Sequence, residues 1–179
     1  MVCIMNVIYT YSVTKDLHDN IVRLHIIANS DSDLDQSIKY HVRNELIKNS
    51  SELKNQSFNT DTMKCIAERA VLESGADYAV TCSFGDFYFP VKRYENIILP
   101  SGTYRGVKII LGNGEGRNWW CVLSPPLCFT ENALGLADTD TLNERLNADT
   151  IEVISDKNGV NYKFKIVELI SELKNKLSN

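Results

Sequence analysis

The 179-residue chain has 44% hydrophobic and 23% charged residues, an ordinary composition for one folded domain with a sizeable core. Its formal net charge of −4 argues against a nucleic-acid partner, which would require a basic face. No run of five or more basic residues occurs, so an anionic membrane surface is not an evident partner either.

Residues 1–20 form an apolar N-terminal segment. The stretch MVCIMNVIYTYSV has no basic residue and is too short to span a bilayer. On the sequence alone, an N-terminal strand or an irregular start to the chain is about as likely as an export signal.

The next part of the chain predicts one buried strand and two helices. Residues 21–28 (IVRLHIIA) form a β-branched run of strand length. Asp33 opens a capping-box pattern that predicts a helix over residues 34–54. A second helix is predicted over residues 62–74, and Gly75 is placed to end it.

Alternating apolar residues then predict a series of strands. They cover residues 78–84, 103–111 and 119–123, and Gly85-Asp86 is interpreted as a turn after the first of them. The glycine-rich residues 112–117 do not open a helix, so they do not match a phosphate-binding loop. A hairpin turn is the favoured interpretation of this stretch.

Residues 131–179 are predicted to form a C-terminal extension. Residues 142–148 suggest a short helix, and residues 161–177 carry the apolar stripe of an amphipathic helix. One strand, two helices and further strands predict an α+β core domain over residues 21–130. Its antiparallel β-sheet is expected to carry two helices on one face, with the C-terminal amphipathic helix added.

Four long strings in the sequence resemble one family, stage II sporulation protein R. They cover roughly residues 23–129 in one order and read LHIIANSDSDLDQSIK, YAVTCSFGDFYFPVKRY, NIILPSGTYRGVKIILGNGEG and NWWCVLSPPLCF. The resemblance implies secretion from the forespore into the space between the two sporulation membranes. It also implies that residues 1–20 are a remnant or a degenerate form of an export signal.

The resemblance further implies a function. Proteins of this family activate a membrane-embedded aspartic protease, which processes the precursor of the early mother-cell sigma factor. The chain would contact the extracytoplasmic part of that protease. It would be a ligand with no cofactor, no small-molecule substrate and no nucleic acid.

The residues themselves also predict a binding protein rather than an enzyme. The chain has three histidines, no HExxH motif and no GxSxG motif, so no acid–base constellation can be assembled. Asp31, Asp33 and Asp35 alternate as in a calcium loop. However, Gln36 and Val42 stand where that loop requires Gly and Glu, so no metal site is predicted.

Polar residues at the ends of two predicted strands are the candidate partner-binding residues. Asn29 and Asp31 follow the first strand, while Arg117 and Trp119 lie at the start of the last. If these strands are neighbours, the four residues meet at one edge of the sheet. They could be turn residues with an Asp31–Arg117 salt bridge, or they could form a recognition surface.

Cys121 and Cys128 are predicted to form a disulfide in the oxidising compartment that the resemblance implies. Their spacing across a Pro-Pro step does not match the paired CxxC motifs of structural zinc sites. Cys65 and Cys82 are expected to behave as small buried hydrophobes.

A protein that binds or hydrolyses cell-wall peptidoglycan is the alternative. An exposed tryptophan could stack on sugars. Asp31 or Asp33 with Glu115 is the only carboxylate pair that could be nominated for hydrolysis.

Overall fold

The computed structural model describes residues 2–49, 59–94, 97–125 and 142–155, with the backbone alone for residues 2–7. The elements in chain order are α1 (Val2–Asn20), β1 (Val22–Ile27), α2 (Asp33–Lys48), α3 (Thr60–Glu73), β2 (Val80–Phe89), β3 (Lys92–Arg93), β4 (Ile98–Leu99), β5 (Gly102–Leu111), β6 (Asn118–Ser124) and α4 (Ala148–Ile154).

Four strands form one sheet in the order β2-β5-β1-β6, and β3 pairs with β4 in a separate antiparallel ladder. The predicted α+β class and the mainly antiparallel sheet are confirmed. β1 is an inner strand with buried side chains on both faces, including Leu24, Ile26 and even Arg23 and His25. The predicted turn at Gly85-Asp86 is wrong, because β2 runs through both residues without a positive φ at Gly85.

The N-terminal segment is a helix, so the strand considered for it is excluded. Val13 and Leu17, one helical turn apart, are buried. The side chain of Asp16 accepts a hydrogen bond from the backbone N of Asn147 (2.9 Å), the residue that precedes α4. α1 is therefore packed against the rest of its unit through its C-terminal half.

Helix α2 begins one residue earlier and ends six residues earlier than predicted. Ser32, not Asp33, is its N-cap residue, because the Ser32 side chain accepts a hydrogen bond from Asp35 N. At the other end, both the backbone N and the side chain of Asn49 bond to the carbonyl of Glu45, which ends the helix there.

Helix α3 packs against α2 and ends as predicted at Gly75. Gly75 has φ +81° and donates to Leu72 O (2.9 Å), while Ala76 donates to Val71 O (3.2 Å). These two bonds form a Schellman motif, in which a residue of positive φ follows the helix.

The described residues divide into two compact units. One contains those within 1–22, 86–105 and from 122 onward, and the other contains those within 23–85 and 106–121. All the candidate partner-binding residues belong to the second unit. The sequence-based domain boundaries at residues 20 and 130 stay predictions.

Of the short helix predicted over residues 142–148, Leu142 and Asn143 are helical, and a turn follows at residues 144–145. α4 begins only at Ala148 and runs to Ile154, because Asn147 adopts the extended backbone of an N-cap. The predicted C-terminal amphipathic helix lies outside the described residues. Among the helices that are described, none combines the length and the hydropathy needed to cross a membrane.

Candidate partner-binding site

The site is built from two loops that bind each other: the β1–α2 loop (residues 28–32) and the glycine loop (residues 112–117). β1 lies between β5 and β6 in the sheet, so the glycine loop is not a hairpin turn, which corrects the prediction. It instead contacts the end of β1, where Gly116 N donates to Ala28 O (2.9 Å) and Glu115 N donates to Asn29 O (3.1 Å).

The side chain of Asn29 joins the two loops to α2. Its Oδ1 accepts a hydrogen bond from Asn113 N (2.9 Å), and its Nδ2 donates to Asp35 Oδ2 (2.9 Å). The glycine loop approaches Asn29 so closely that a Cβ at Gly112 would collide with the Asn29 amide. Gly112 also has φ +56°, which a residue with a side chain adopts at a cost.

Asp35 is a buried carboxylate that anchors the β1–α2 loop. Besides the Asn29 amide, it accepts a hydrogen bond from Ser30 Oγ (2.5 Å). The Ser30 hydrogen bond holds the pKa of Asp35 below its usual value, although burial acts in the opposite direction. Burial, together with the Asp35 charge, raises the pKa of the neighbouring Tyr78 to about 12.

Sequence reasoning considered Asp35 only as part of a calcium-loop pattern, and so missed this anchoring role. A signal was nevertheless present. A residue in the first turn of a helix directs its side chain back toward the N-terminus, where the preceding loop supplies donors.

Asp31 and Arg117 meet, as the salt-bridge interpretation predicted. Asp31 Oδ1 accepts a hydrogen bond from Arg117 N (2.7 Å) and lies 3.5 Å from Arg117 Nε. The side chains are 63% and 66% exposed, so the ion pair itself contributes at most about 1 kcal/mol. The backbone bond adds a second link between the loops.

Lys39 is the residue whose role sequence reasoning missed most clearly, because it lies inside the helix predicted over residues 34–54 and was not among the candidate binding residues. It is buried and donates to Gln36 Oε1 (2.6 Å) and to the carbonyl of Arg117 (3.0 Å). Burial lowers the pKa of Lys39, and the Arg117 charge lowers it further. Gln36 in turn donates to Ser30 O (2.8 Å), so α2 supports both loops.

The two adjacent tryptophans contact different partners. The Arg43 guanidinium lies 5.3 Å from the centroid of the Trp119 ring, a cation–π contact. Trp120 stacks on His25 with centroids 3.6 Å apart. Adjacent residues on a strand point to opposite faces of the sheet, and both tryptophans are half-buried.

The His25 ring in this stack donates a hydrogen bond from Nε2 to Asn118 Oδ1 (2.7 Å). Burial lowers the pKa of His25 to about 4. The Asn118 hydrogen bond opposes that shift, and the Lys108 charge adds to it. His25 is therefore neutral at physiological pH.

The described cysteines occupy three environments. Cys121 is buried on β6, and because Cys128 lies outside the described residues, their disulfide stays a prediction. Cys65 is an exposed free thiol, so the expectation that it is buried is wrong. Cys82 is a half-buried free thiol whose pKa is raised to about 11, mainly by burial.

Two of the carboxylates nominated for hydrolysis have a structural role, one in an ion pair and one at a helix terminus. Asp31 is bound to Arg117, and Asp33 is the first residue of α2. In the part of the chain that the structure describes, no group of three or more His, Cys, Asp or Glu side chains could hold a metal ion.

The fold and the site together define an α+β protein that presents a polar surface built by two interlocked loops. Residues 18–133, which include all of that surface, match the family model described as stage II sporulation protein R. The chain is 33% identical over 183 residues to stage II sporulation protein R of Bacillus subtilis (strain 168), covering 87% of this chain and 82% of that protein. No solved structure matches the chain. The chain belongs to the stage II sporulation protein R family.

Proposed function

We propose that this chain is a secreted signalling protein of sporulation. It activates a membrane-embedded aspartic protease, which then processes the precursor of the early mother-cell sigma factor. It leaves the forespore and acts in the space between the two sporulation membranes. Membership of the stage II sporulation protein R family supports this proposal.

The proposed action is binding, without chemistry on a substrate. The observation that carries it is the loop-built surface, where Asp31 and Arg117 are exposed beside Trp119. Tryptophan and arginine are enriched among the residues that dominate protein–protein binding energy. The hydrogen bonds of Asn29 with both the glycine loop and α2 hold this surface in one conformation, which lowers the entropic cost of association.

The contact residues in this proposal are Asn29, Asp31, Arg117 and Trp119, and the partner surface is the extracytoplasmic part of the protease. The test uses cells that co-express this protein, the protease and the sigma-factor precursor. Asp31→Asn removes the charge but keeps an oxygen that can accept from Arg117 N. Arg117→Ala removes the exposed guanidinium, and Trp119→Ala removes the half-buried indole ring.

Each purified variant is also assayed for its melting temperature, because loss of folding would abolish signalling trivially. Lys48→Ala, at the exposed end of α2, is the matched control and is expected to signal normally. Lost processing at an unchanged melting temperature supports the proposal. Normal processing in all three variants would place the contact surface elsewhere on the protein.

A peptidoglycan-release assay on the purified protein distinguishes the signalling proposal from the cell-wall alternative. The signalling proposal predicts no release of fragments. Release by the wild-type protein that disappears on Asp31→Asn would replace the ligand proposal with a hydrolytic one.

A further inference from the structure

A stack of aromatic and cationic side chains lies on the surface of α2 next to β6. The Arg43 guanidinium carbon is 5.1 Å from the centroid of the Tyr40 ring and 5.3 Å from that of Trp119. Lys39 Nζ is 5.0 Å from the Tyr40 centroid. We call Tyr40, Arg43 and Trp119 the aromatic–arginine stack. Tyr40 remains 44% exposed, so the stack is open to a partner.

Arg43 in the stack and the buried Lys39 next to it have only neutral hydrogen-bond partners. Arg43 donates from Nε (3.0 Å) and Nη2 (2.7 Å) to the side-chain oxygen of Asn44. Lys39 donates to an amide oxygen and a backbone carbonyl. Among the described residues no carboxylate lies within ion-pair distance of either, whereas Arg117 close by is paired with Asp31. Arg43 therefore carries a positive charge that no carboxylate in the described part of the chain pairs with.

The chemistry of Arg43 favours a carboxylate as the missing partner. A guanidinium has five N–H donors in a planar fork that matches a carboxylate group, and Asn44 accepts from two of its nitrogens. The contacts with two ring faces orient the guanidinium before any ligand arrives, so little side-chain entropy remains to be lost. The rings also offer apolar area to the methylene groups that carry a carboxylate in Asp or Glu.

We propose that the aromatic–arginine stack is the docking site for an acidic segment of the partner, in which an Asp or Glu carboxylate binds Arg43 between Tyr40 and Trp119. The inference rests on the proposed function, since it specifies the chemistry of the segment that the signalling protein contacts. It adds Tyr40 and Arg43 to the proposed contact residues. It also states that the group which binds next to Trp119 is a carboxylate.

The test uses dye-labelled synthetic peptides that tile the extracytoplasmic segments of the protease. Each acidic peptide has a twin in which every Asp and Glu is replaced by Asn and Gln. Fluorescence anisotropy measures the binding of both to the purified wild-type protein, to Arg43→Gln and to Tyr40→Leu. Arg69→Gln makes the same charge change at an exposed position on α3 and is the matched control.

We expect one acidic peptide to bind the wild-type protein and Arg69→Gln equally, and to bind Arg43→Gln at least tenfold more weakly. Its amide twin should lose a similar factor against the wild-type protein. The twin and Arg43→Gln together should lose little more than either alone, because each removes the same contact. Tyr40→Leu should weaken binding while leaving the charge dependence in place.

Equal binding of the acidic peptide and its twin, or undiminished binding to Arg43→Gln, would overturn the docking assignment. Failure of every peptide to bind the wild-type protein would overturn it too. None of these three results decides the proposed function. That function is measured separately, by precursor processing in cells that carry the wild-type protein.

Discussion

At the scale of single residues, the lowered pKa of His25 on β1 makes the stability of the protein depend on pH. Its pKa of about 4 in the folded protein is below the ordinary 6.5, mainly because the ring is buried. The unfolded chain therefore binds more protons than the folded one between these two values. Stability from this group is fully present above pH 6.5 and is lost as the pH falls toward 4.

We therefore expect the free energy of unfolding to fall by up to about 3 kcal/mol from this residue between pH 6.5 and 4. His25→Gln does not titrate and keeps an amide donor for Asn118. Urea unfolding of both proteins across this pH window should give a shallower slope for the variant. Parallel pH profiles would show that folding does not lower the pKa of His25.

The Asp31–Arg117 contact also gives a residue-scale prediction. It consists of a backbone hydrogen bond and a side-chain ion pair, and the two substitutions remove different parts of it. Asp31 accepts a hydrogen bond from the Arg117 backbone and is ion-paired with the Arg117 side chain, whereas Arg117→Ala leaves the backbone bond in place. Asp31→Ala is expected to lower stability by about 1 kcal/mol and Arg117→Ala by less than about 0.5 kcal/mol. Equal losses in chemical unfolding would mean that the backbone bond contributes nothing.

At the scale of elements, the glycine loop depends on a close approach to Asn29. Gly112 and Gly75 both have positive φ, but a Cβ would collide with the Asn29 side chain at Gly112 and would meet nothing within 4 Å at Gly75. Asn29 is held by hydrogen bonds to Asn113 and Asp35, so moving it aside would break them.

Gly75→Ala therefore measures backbone strain alone, about 1 kcal/mol. Gly112→Ala adds the displaced Asn29 and should cost about 2–3 kcal/mol. Thermal unfolding of the two variants makes the comparison. A Gly112→Ala loss no larger than that of Gly75→Ala would show that the two loops are not interlocked through Asn29.

Helix α1 supplies the second element-scale prediction. Leu17 is 1% exposed and Ile8, on the same helix, is 62% exposed. Leu17→Ala should destabilise the protein by about 2–4 kcal/mol, because it leaves a cavity in a packed core. Ile8→Ala should change stability by less than about 0.5 kcal/mol. Similar values for both in chemical unfolding would mean that α1 does not belong to the cooperative folding unit.

At the scale of the whole molecule, the predicted Cys121–Cys128 disulfide follows from the proposed compartment. In protein exported from the cytoplasm, unreduced peptide mapping by mass spectrometry should find the two cysteines joined. Reduction should lower stability by about 2 kcal/mol through the small loop that the bond closes. Cys65→Ser, which removes an exposed thiol, is the control and should change neither result. Two free thiols in exported protein would contradict the prediction.

Much of the local structure follows from short-range patterns in the sequence. The periodicity of apolar residues locates β1, β5, β6, α2 and α3, because it reports which side chains one element can bury together. Gly75 marks the end of α3 for an equally local reason, its positive φ. The family resemblance, carried by long ordered strings, is also contained in the sequence and is confirmed.

Only the tertiary structure decides the strand order, and the site depends on it. Because β1 lies between β5 and β6, the glycine loop meets the β1–α2 loop instead of forming a hairpin. The burial of Asp35 and Lys39 is equally invisible in the sequence, where both look like ordinary polar helix residues. Their donors and acceptors come from residues up to 78 positions away, and such contacts exist only once the sheet has brought both loops to one edge.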